Sequence, residues 1–210
     1  TQKPKVFFTQ GQILLLKKIR ESLAGRVAIF ELWPLLMSEI CAQDNACNVD
    51  TPLVDRFFSK NDLSKILNSV PAVLMNKEDS LCKDAEDYLL QWGGMPALLP
   101  LSQEERWRWL KDYEYTYLER DLADLARLDD LEPFRKFQKL SALRSARLLN
   151  YSEISRDASI SVDTARRYLE YLNLSYQTIL LQPYYKNITS SVIKTPKVYW
   201  LDIGLLRQLC

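Results

Sequence analysis

The chain contains no histidine among its 210 residues. A Ser-His-Asp triad and a Cys-His pair both need an imidazole as general base, so these two mechanisms are excluded. The four cysteines, at positions 41, 47, 82 and 210, show no CxxC spacing, and no histidine could complete a zinc site with them. We therefore predict reduced thiols, a cytoplasmic location and no metal bound by these residues.

Long apolar runs are also missing. No run approaches the roughly 20 residues that a transmembrane helix needs, and no secretory signal peptide is recognisable. At 47% hydrophobic and 26% charged residues, the chain can nevertheless bury a core. We predict a folded protein with no membrane partner.

Charge is divided unevenly along the chain. Residues 1–131 carry 16 Lys and Arg against 21 Asp and Glu, a net charge of −5, whereas residues 132–210 carry 12 against 6, a net charge of +6. The basic part favours a polyanionic partner such as DNA. The alternative is that the two parts of the chain attract each other.

Residues 150–182 predict two short helices followed by a strand. Asn150 is a suitable N-cap for the first helix, and Ser161 is one for the second. The β-branched and apolar run Thr178–Leu181 predicts the strand. With a further helix predicted within Leu131–Leu149, this order is typical of a winged helix, whose second short helix can enter a DNA major groove.

Candidate DNA contacts are exposed basic and hydroxyl side chains on or near the second short helix and around the wing predicted between Pro183 and Pro196. These candidates are Arg156, Thr164, Arg166, Arg167, Lys186 and Lys194. Arginine can bind guanine edges, and lysines and hydroxyls can bind phosphates. Asp163 and Glu170 share the helix face and would repel phosphates, so docking on the chain itself or on another protein stays open as an alternative.

The remaining sequence predicts a strand, a helix and a second strand within residues 5–32, followed by helices from Ser38 onward. We divide the chain into residues 1–37, the end of an α/β core; 38–130, a helical lid; 131–201, the winged helix; and 202–210, the start of a further domain. We also expect the chain to be a piece of a longer protein.

Several separated motifs occur in one order along the chain. They are Thr9–Gln12, Leu23–Arg26, the ELWPL run at 31–35, Gly93–Pro96, Tyr117–Asp121, the two short helices and Lys194–Leu205. In this order they resemble the bacterial and archaeal P-loop ATPases that join an AAA-type core to a winged helix and a C-terminal domain of unknown function. The resemblance implies ATP and Mg²⁺ in the intact protein. It also implies that this chain retains neither, because the GxxxxGK[ST] loop and the acidic Mg²⁺-binding strand are missing from it.

The resemblance also implies roles for particular residues. Thr9 is implied as a γ-phosphate sensor and Arg26 as an arginine finger. Contacts with the bound nucleotide are implied for Gly93, Gly94, Pro96 and Arg120. Each has a structural alternative: a strand end for Thr9, a surface arginine for Arg26, a helix stop for the glycines, and an interhelical ion pair for Arg120. We predict that Asp202 is a helix or turn cap rather than a metal ligand.

The predicted fold is mainly α: a remnant of an α/β P-loop ATPase core, a helical lid and a winged helix-turn-helix with a short β-wing. The predicted function is part of an ATP-binding, DNA-associated ATPase that is inactive as this chain alone. The alternative is a non-enzymatic winged-helix module that binds DNA or another protein.

Overall fold

The computed structural model describes residues 32–42, 53–59, 64–65, 68, 77–117, 131–184 and 194–210. These residues are mainly helical, with one small antiparallel sheet of two strands, which confirms the mainly α prediction. The elements are α1 Met37–Cys41, α2 Leu53–Phe58, α3 Lys77–Trp92, a 3-10 turn Pro96–Leu98, α4 Gln103–Tyr117, α5 Glu132–Ala142, α6 Tyr151–Ala158, α7 Val162–Leu174, β1 Thr178–Leu181, β2 Lys197–Trp200 and α8 Ile203–Leu209. The strand–helix–strand prediction for residues 5–32 falls almost wholly outside the described residues.

Helices α5, α6 and α7 pack around one apolar core. The face predicted for α7 is buried, with Ala165 and Leu172 at 0% exposure. The rings of Phe134 and Phe137 meet the Tyr168 ring edge-on, at centroid distances of 5.0 and 5.7 Å. Such aromatic pairs add stability beyond the area they bury, so this cluster fixes the relative positions of the three helices.

Both predicted N-caps are confirmed. The Asn150 side chain accepts a hydrogen bond from the Glu153 N–H at 3.1 Å, and Ser161 Oγ accepts one from the Thr164 N–H at 3.1 Å. Between the two helices, Ser159 adopts the left-handed conformation with φ 60°. Two caps separated by a left-handed residue produce the sharp turn from α6 to α7.

We expect Asn150→Ala to lower the free energy of unfolding by about 0.5–2 kcal/mol, because the Glu153 N–H would lose its acceptor. Urea unfolding followed by circular dichroism measures this loss. Ser152→Ala is the matched control, since Ser152 is exposed in the same helical turn. A loss equal to that of the control would contradict the capping role.

The sheet contains β1 and β2, with Thr178 opposite Trp200 and Leu181 opposite Lys197. A third segment joins its edge, because the Ala146 N–H donates to the Val198 carbonyl at 2.7 Å. Leu148 forms an isolated bridge with Lys197 in the same segment. The chain after α5 therefore runs along β2 as a short extended edge.

This edge corrects one sequence prediction. The helix predicted from Leu131 to Leu149 is confirmed only for its first part, because α5 ends at Ala142. Ala146 has a φ of 67°, which a continuing α-helix cannot contain. Pairing of the following residues with β2 replaces the helical hydrogen bonds that they would otherwise make.

A second apolar cluster joins α3, α4 and α8. Trp92, Leu98, Leu110 and Leu205 form its buried centre. Helix α8 contributes to both clusters, since Leu209 belongs to the core around α5–α7. The end of α3 is further held by the Arg207 guanidinium, which donates to the Leu90 carbonyl at 3.0 Å. The short helix α8 is therefore the element that connects the two apolar clusters.

Within the described ranges, no helix has the length and apolar character needed to cross a bilayer.

Candidate functional site

An open groove of about 750 Å³ lies between the start of α6 and the segment leading into β2. Arg147, Asn150, Tyr151, Glu153, Arg166 and Thr195 are among its lining residues. Three features of the fold bring them together: the edge segment after α5, the N-terminus of α6 and the outward side of α7. We call this surface the basic groove.

Basic side chains dominate the groove. Arg147 and Arg166 line it and are both exposed. Lys194 precedes the lining residue Thr195, and Lys197 follows it by two positions and forms the bridge with Leu148. Both lysines are exposed. Two cations therefore line the groove and two more lie within two residues of its lining residue Thr195, which concentrates positive potential in this part of the surface.

Glu153 is the acidic member of this lining, and its charge is partly balanced. Arg144 Nη2 lies 3.5 Å from Glu153 Oε1 and also forms an ion pair with Asp157. Both carboxylates are part-exposed, so the pairs contribute little to stability. They do reduce the negative charge next to the groove, which therefore presents a net positive surface.

Arg166 is held in position by an aromatic ring. Its guanidinium carbon lies 4.5 Å from the centroid of the Tyr151 ring. Burial raises the pKa of the Tyr151 phenol, while the Arg166 charge opposes that rise. The phenol is therefore neutral at physiological pH, and the stacking limits how far the arginine side chain can move.

The outward face of α7 carries both signs of charge. Asp163, Arg166, Arg167 and Glu170 are all exposed, and their spacing of three and four residues places them on one side of the helix. A phosphate that approached the whole face would meet two carboxylates as well as two guanidinium groups. The groove beside α7 is more uniformly basic than this face.

The structure brings together only part of the predicted DNA-contact set. Arg166 lies in the groove and Lys194 beside it, and Arg167 is exposed on the outward face of α7. Arg156 is exposed but does not line the groove, and its Nε lies 3.7 Å from Asp157 Oδ1. The Thr164 hydroxyl is engaged with Ser161 Oγ at 2.8 Å within the N-cap of α7. Lys186 lies outside the described residues.

Sequence reasoning missed Arg147, Thr195 and Lys197. Arg147 was assigned to a helix, whereas it lies on the extended edge beside β2. One signal could have found it: the strong N-cap at Asn150 requires the chain to leave any preceding helix shortly before that position. Thr195 and Lys197 needed the strand register, which the sequence does not encode locally.

The predicted nucleotide contacts at the end of α3 lie in a tightly packed turn. Gly93 has a φ of +79°, and a Cβ added there would overlap the Asp202 carboxylate. A Cβ on Gly94 would lie 2.6 Å from the Leu35 carbonyl oxygen. Both positions need glycine because other parts of the chain pass so close, and this explains them without a ligand. Pro96 is exposed at the start of the 3-10 turn.

Asp202 joins this turn to α8. Its Oδ1 accepts the Leu205 N–H at 2.9 Å, and its Oδ2 accepts the Gly94 N–H at 2.8 Å, although the two donors are far apart in sequence. The prediction that Asp202 is a helix cap is confirmed. Burial raises the pKa of this carboxyl, and the backbone N–H bonds from Leu205, Gly94 and Gly204 oppose the rise.

The raised pKa of Asp202 predicts a pH dependence of stability. The folded chain holds the proton at a pH where the unfolded chain, with a pKa near 3.8, has released it. The protonated Asp202 carboxyl therefore contributes its full stabilisation below pH 3.8. This stabilisation is lost as the pH rises through the pKa of Asp202 in the folded chain. We expect the free energy of unfolding of the wild type, minus that of Asp202→Asn, to fall as the pH rises through this window. Urea unfolding of both proteins at a series of pH values measures it, and a difference that grows with pH would contradict the account.

Thr9, Arg26 and Arg120 lie outside the described residues, so the structure does not test their predicted roles. Within the part of the chain that is described, no three Cys, Asp or Glu side chains are close enough to hold a metal ion.

Comparison with protein families matches residues 83–210 to the family described as Domain of unknown function (DUF8612). Two curated relatives, Uncharacterized protein Mb2031c of Mycobacterium bovis and Uncharacterized protein Rv2008c of Mycobacterium tuberculosis, are each 33% identical over 126 residues. The aligned part is 60% of this chain and 29% of each relative, so the chain spans under a third of their length. No solved structure matches.

These comparisons correct the predicted family. The assignment to the AAA-type P-loop ATPases is wrong, because the matching family is a domain of unknown function and the relatives' names mention neither ATP nor DNA. The motifs that carried the resemblance are short runs, and such runs recur in unrelated chains. ATP, Mg²⁺ and the roles of Thr9, Arg26 and Arg120 were implied through that resemblance and lose its support. The chain belongs to the family described as Domain of unknown function (DUF8612), which matches more than half of its length.

Proposed function

We propose that this chain is a non-enzymatic nucleic-acid-binding module that holds duplex DNA against the basic groove. The observation that carries the proposal is that Arg147 and Arg166 line one groove, with Lys194 and Lys197 exposed next to the lining residues Thr195 and Leu148. Phosphate contacts supply most of the affinity of such modules, and they require cations rather than a particular family of proteins.

We further propose that α5–α7 and the sheet act as a winged helix. Three helices are followed by two antiparallel strands, and the edge segment at Leu148 extends that sheet. In winged helices the second short helix lies in the major groove while neighbouring segments hold the backbone. Here α7 would present Arg167 to base edges, and the groove cations would bind the adjacent phosphates.

The mixed charge of α7 argues for weak sequence discrimination. Asp163 and Glu170 flank the two arginines on the same exposed face. Their carboxylates repel the DNA phosphates and so weaken the contact of this helix face with the duplex. We therefore expect the groove, and not the helix face, to supply most of the binding energy.

The test is the fluorescence anisotropy of a labelled mixed-sequence duplex titrated with the chain. With about four phosphate contacts, log Kd should change with log salt with a slope of about 3.6, so that affinity falls on the order of 100-fold between about 50 and 200 mM salt. No binding at the lower salt concentration would contradict the proposal. It would favour the alternative that the same unit docks on a protein.

A further inference from the structure

Two buried polar atoms in the core of the α5–α7 unit have no hydrogen-bond partner within the described residues. They are Gln138 Oε1 on α5 and Trp200 Nε1 on β2. Gln138 is 3% exposed and Trp200 is 6% exposed, so bulk water does not reach either side chain freely. A buried polar atom that lacks a partner loses its hydration without compensation, which makes such atoms rare in folded proteins.

The amide of Gln138 is already oriented by a neighbour. Its Nε2 donates to Gln177 Oε1 at 2.8 Å, and Gln177 is itself 3% exposed. This bond distinguishes the two ends of the Gln138 amide and leaves its carbonyl oxygen as the unpaired end. A rotation of the Gln138 amide alone would place its oxygen opposite Gln177 Oε1 and break the bond to Gln177.

Both residues line the same small cavity. It has a volume of about 10 Å³ and lies where α5 and β2 meet α4 and α8. Tyr113, Glu114 and Gln208 contribute the lining from these two helices. A cavity of this volume can hold about one water molecule, and it is too small for an organic ligand.

The two unpaired atoms are chemically complementary through water. Gln138 Oε1 accepts a hydrogen bond and Trp200 Nε1 donates one. One water molecule can donate to the first and accept from the second, and its second hydrogen stays available for a further acceptor in the cavity lining, to which Glu114 and Gln208 belong. Buried waters commonly make about three such bonds.

We propose that this cavity is an internal water-binding site that bridges Gln138 and Trp200. The water would connect the α5–α7 unit to α4 and α8 at the junction of the two apolar clusters. The site does not depend on nucleic-acid binding, and either proposal can fail without the other.

A crystal structure of the chain at about 2 Å resolution or better tests the site. We expect a density peak within about 2.7–3.2 Å of both Gln138 Oε1 and Trp200 Nε1. A direct bond between these two atoms, or no peak in the cavity, would overturn the proposal.

A double-mutant cycle gives a second test that needs no crystal. Gln138→Met removes the acceptor with a side chain of similar size, and Trp200→Phe removes the donor with a smaller aromatic ring, whose packing loss is also present in the double variant. The loss of the Gln177 bond occurs in both arms of the cycle and cancels. We expect the effect of the double variant on the unfolding constant to differ by at least about threefold from the product of the two single effects. The reason is that either single variant already removes one end of the water bridge. If the double variant showed only the product of the two single effects, the proposed water bridge would be overturned.

Discussion

Duplex DNA should bind the Arg147→Glu, Arg166→Glu double variant at least about 30-fold more weakly than it binds the wild type. Each arginine lines the basic groove, and loss of each phosphate contact should cost about 1 kcal/mol or more, before repulsion from the new carboxylates is added. The slope of log Kd against log salt should also fall by about 1.8, since two counterion-releasing contacts are lost.

The matched control for this pair is Lys83→Glu. Lys83 is exposed on α3, away from the groove, and its ion pair with Asp79 is solvent-exposed and worth little. This variant replaces a positive charge with a negative one outside the groove, so its affinity for duplex DNA should stay near the wild-type value. The control changes the net charge by half as much as the groove variant, so a loss of binding free energy in the control that is half the loss in the groove variant would mean that net charge alone governs binding, contrary to the proposed site.

Gly204→Ala should lower the free energy of unfolding by at least about 3 kcal/mol. A Cβ at this position would overlap the Trp92 carbonyl oxygen and lie 2.6 Å from the carbonyl carbon. Both neighbours are backbone atoms at the end of α3, so no side-chain rotation can relieve the contact. Helix α8 must move away, and the contacts that it makes with both apolar clusters weaken together.

Urea unfolding measures this loss, with Ile203→Ala as the control in the same helical turn. Ile203 is 38% exposed, so its truncation removes part of an apolar side chain without a backbone clash. We expect the control to lose about 1 kcal/mol. If Gly204→Ala were no more destabilising than Ile203→Ala, the close packing of α8 on α3 would be wrong.

Local signals in the sequence predicted the α6–α7–β1 region well. The caps at Asn150 and Ser161 and the strand Thr178–Leu181 all appear in the structure at the expected residues. Each of these features depends on neighbours within a few positions. A capping hydrogen bond spans three residues, and a helical apolar face repeats every three or four.

Features that depend on distant pairing were not predictable. Arg147 reaches the groove because its carbonyl accepts the Val198 N–H, about fifty residues further along the chain. Gly94 needs to be glycine because the Leu35 backbone lies too close for a Cβ atom. The Gly94 N–H also donates to Asp202, which is distant in sequence. The sequence marks these glycines only as a helix stop.

The family resemblance failed for a related reason. Gly93–Pro96 and the end of the Lys194–Leu205 motif, from Asp202 onward, lie in the structure where α3 and α8 pack against each other. Glycine and aspartate at such a contact are required by close packing and capping, whatever the protein does. The same residues can therefore appear in the same order without a shared activity.

The most direct test of the central proposal is an amide chemical-shift map of the chain during titration with a duplex of about 16 base pairs, roughly one and a half turns. We predict that the largest shifts fall on the groove residues Arg147–Glu153, on the first turns of α7 and on Lys194–Lys197, and that they shrink at high salt. Shifts confined to α3 and α4, or none at saturating duplex, would contradict the claim that the basic groove binds nucleic acid.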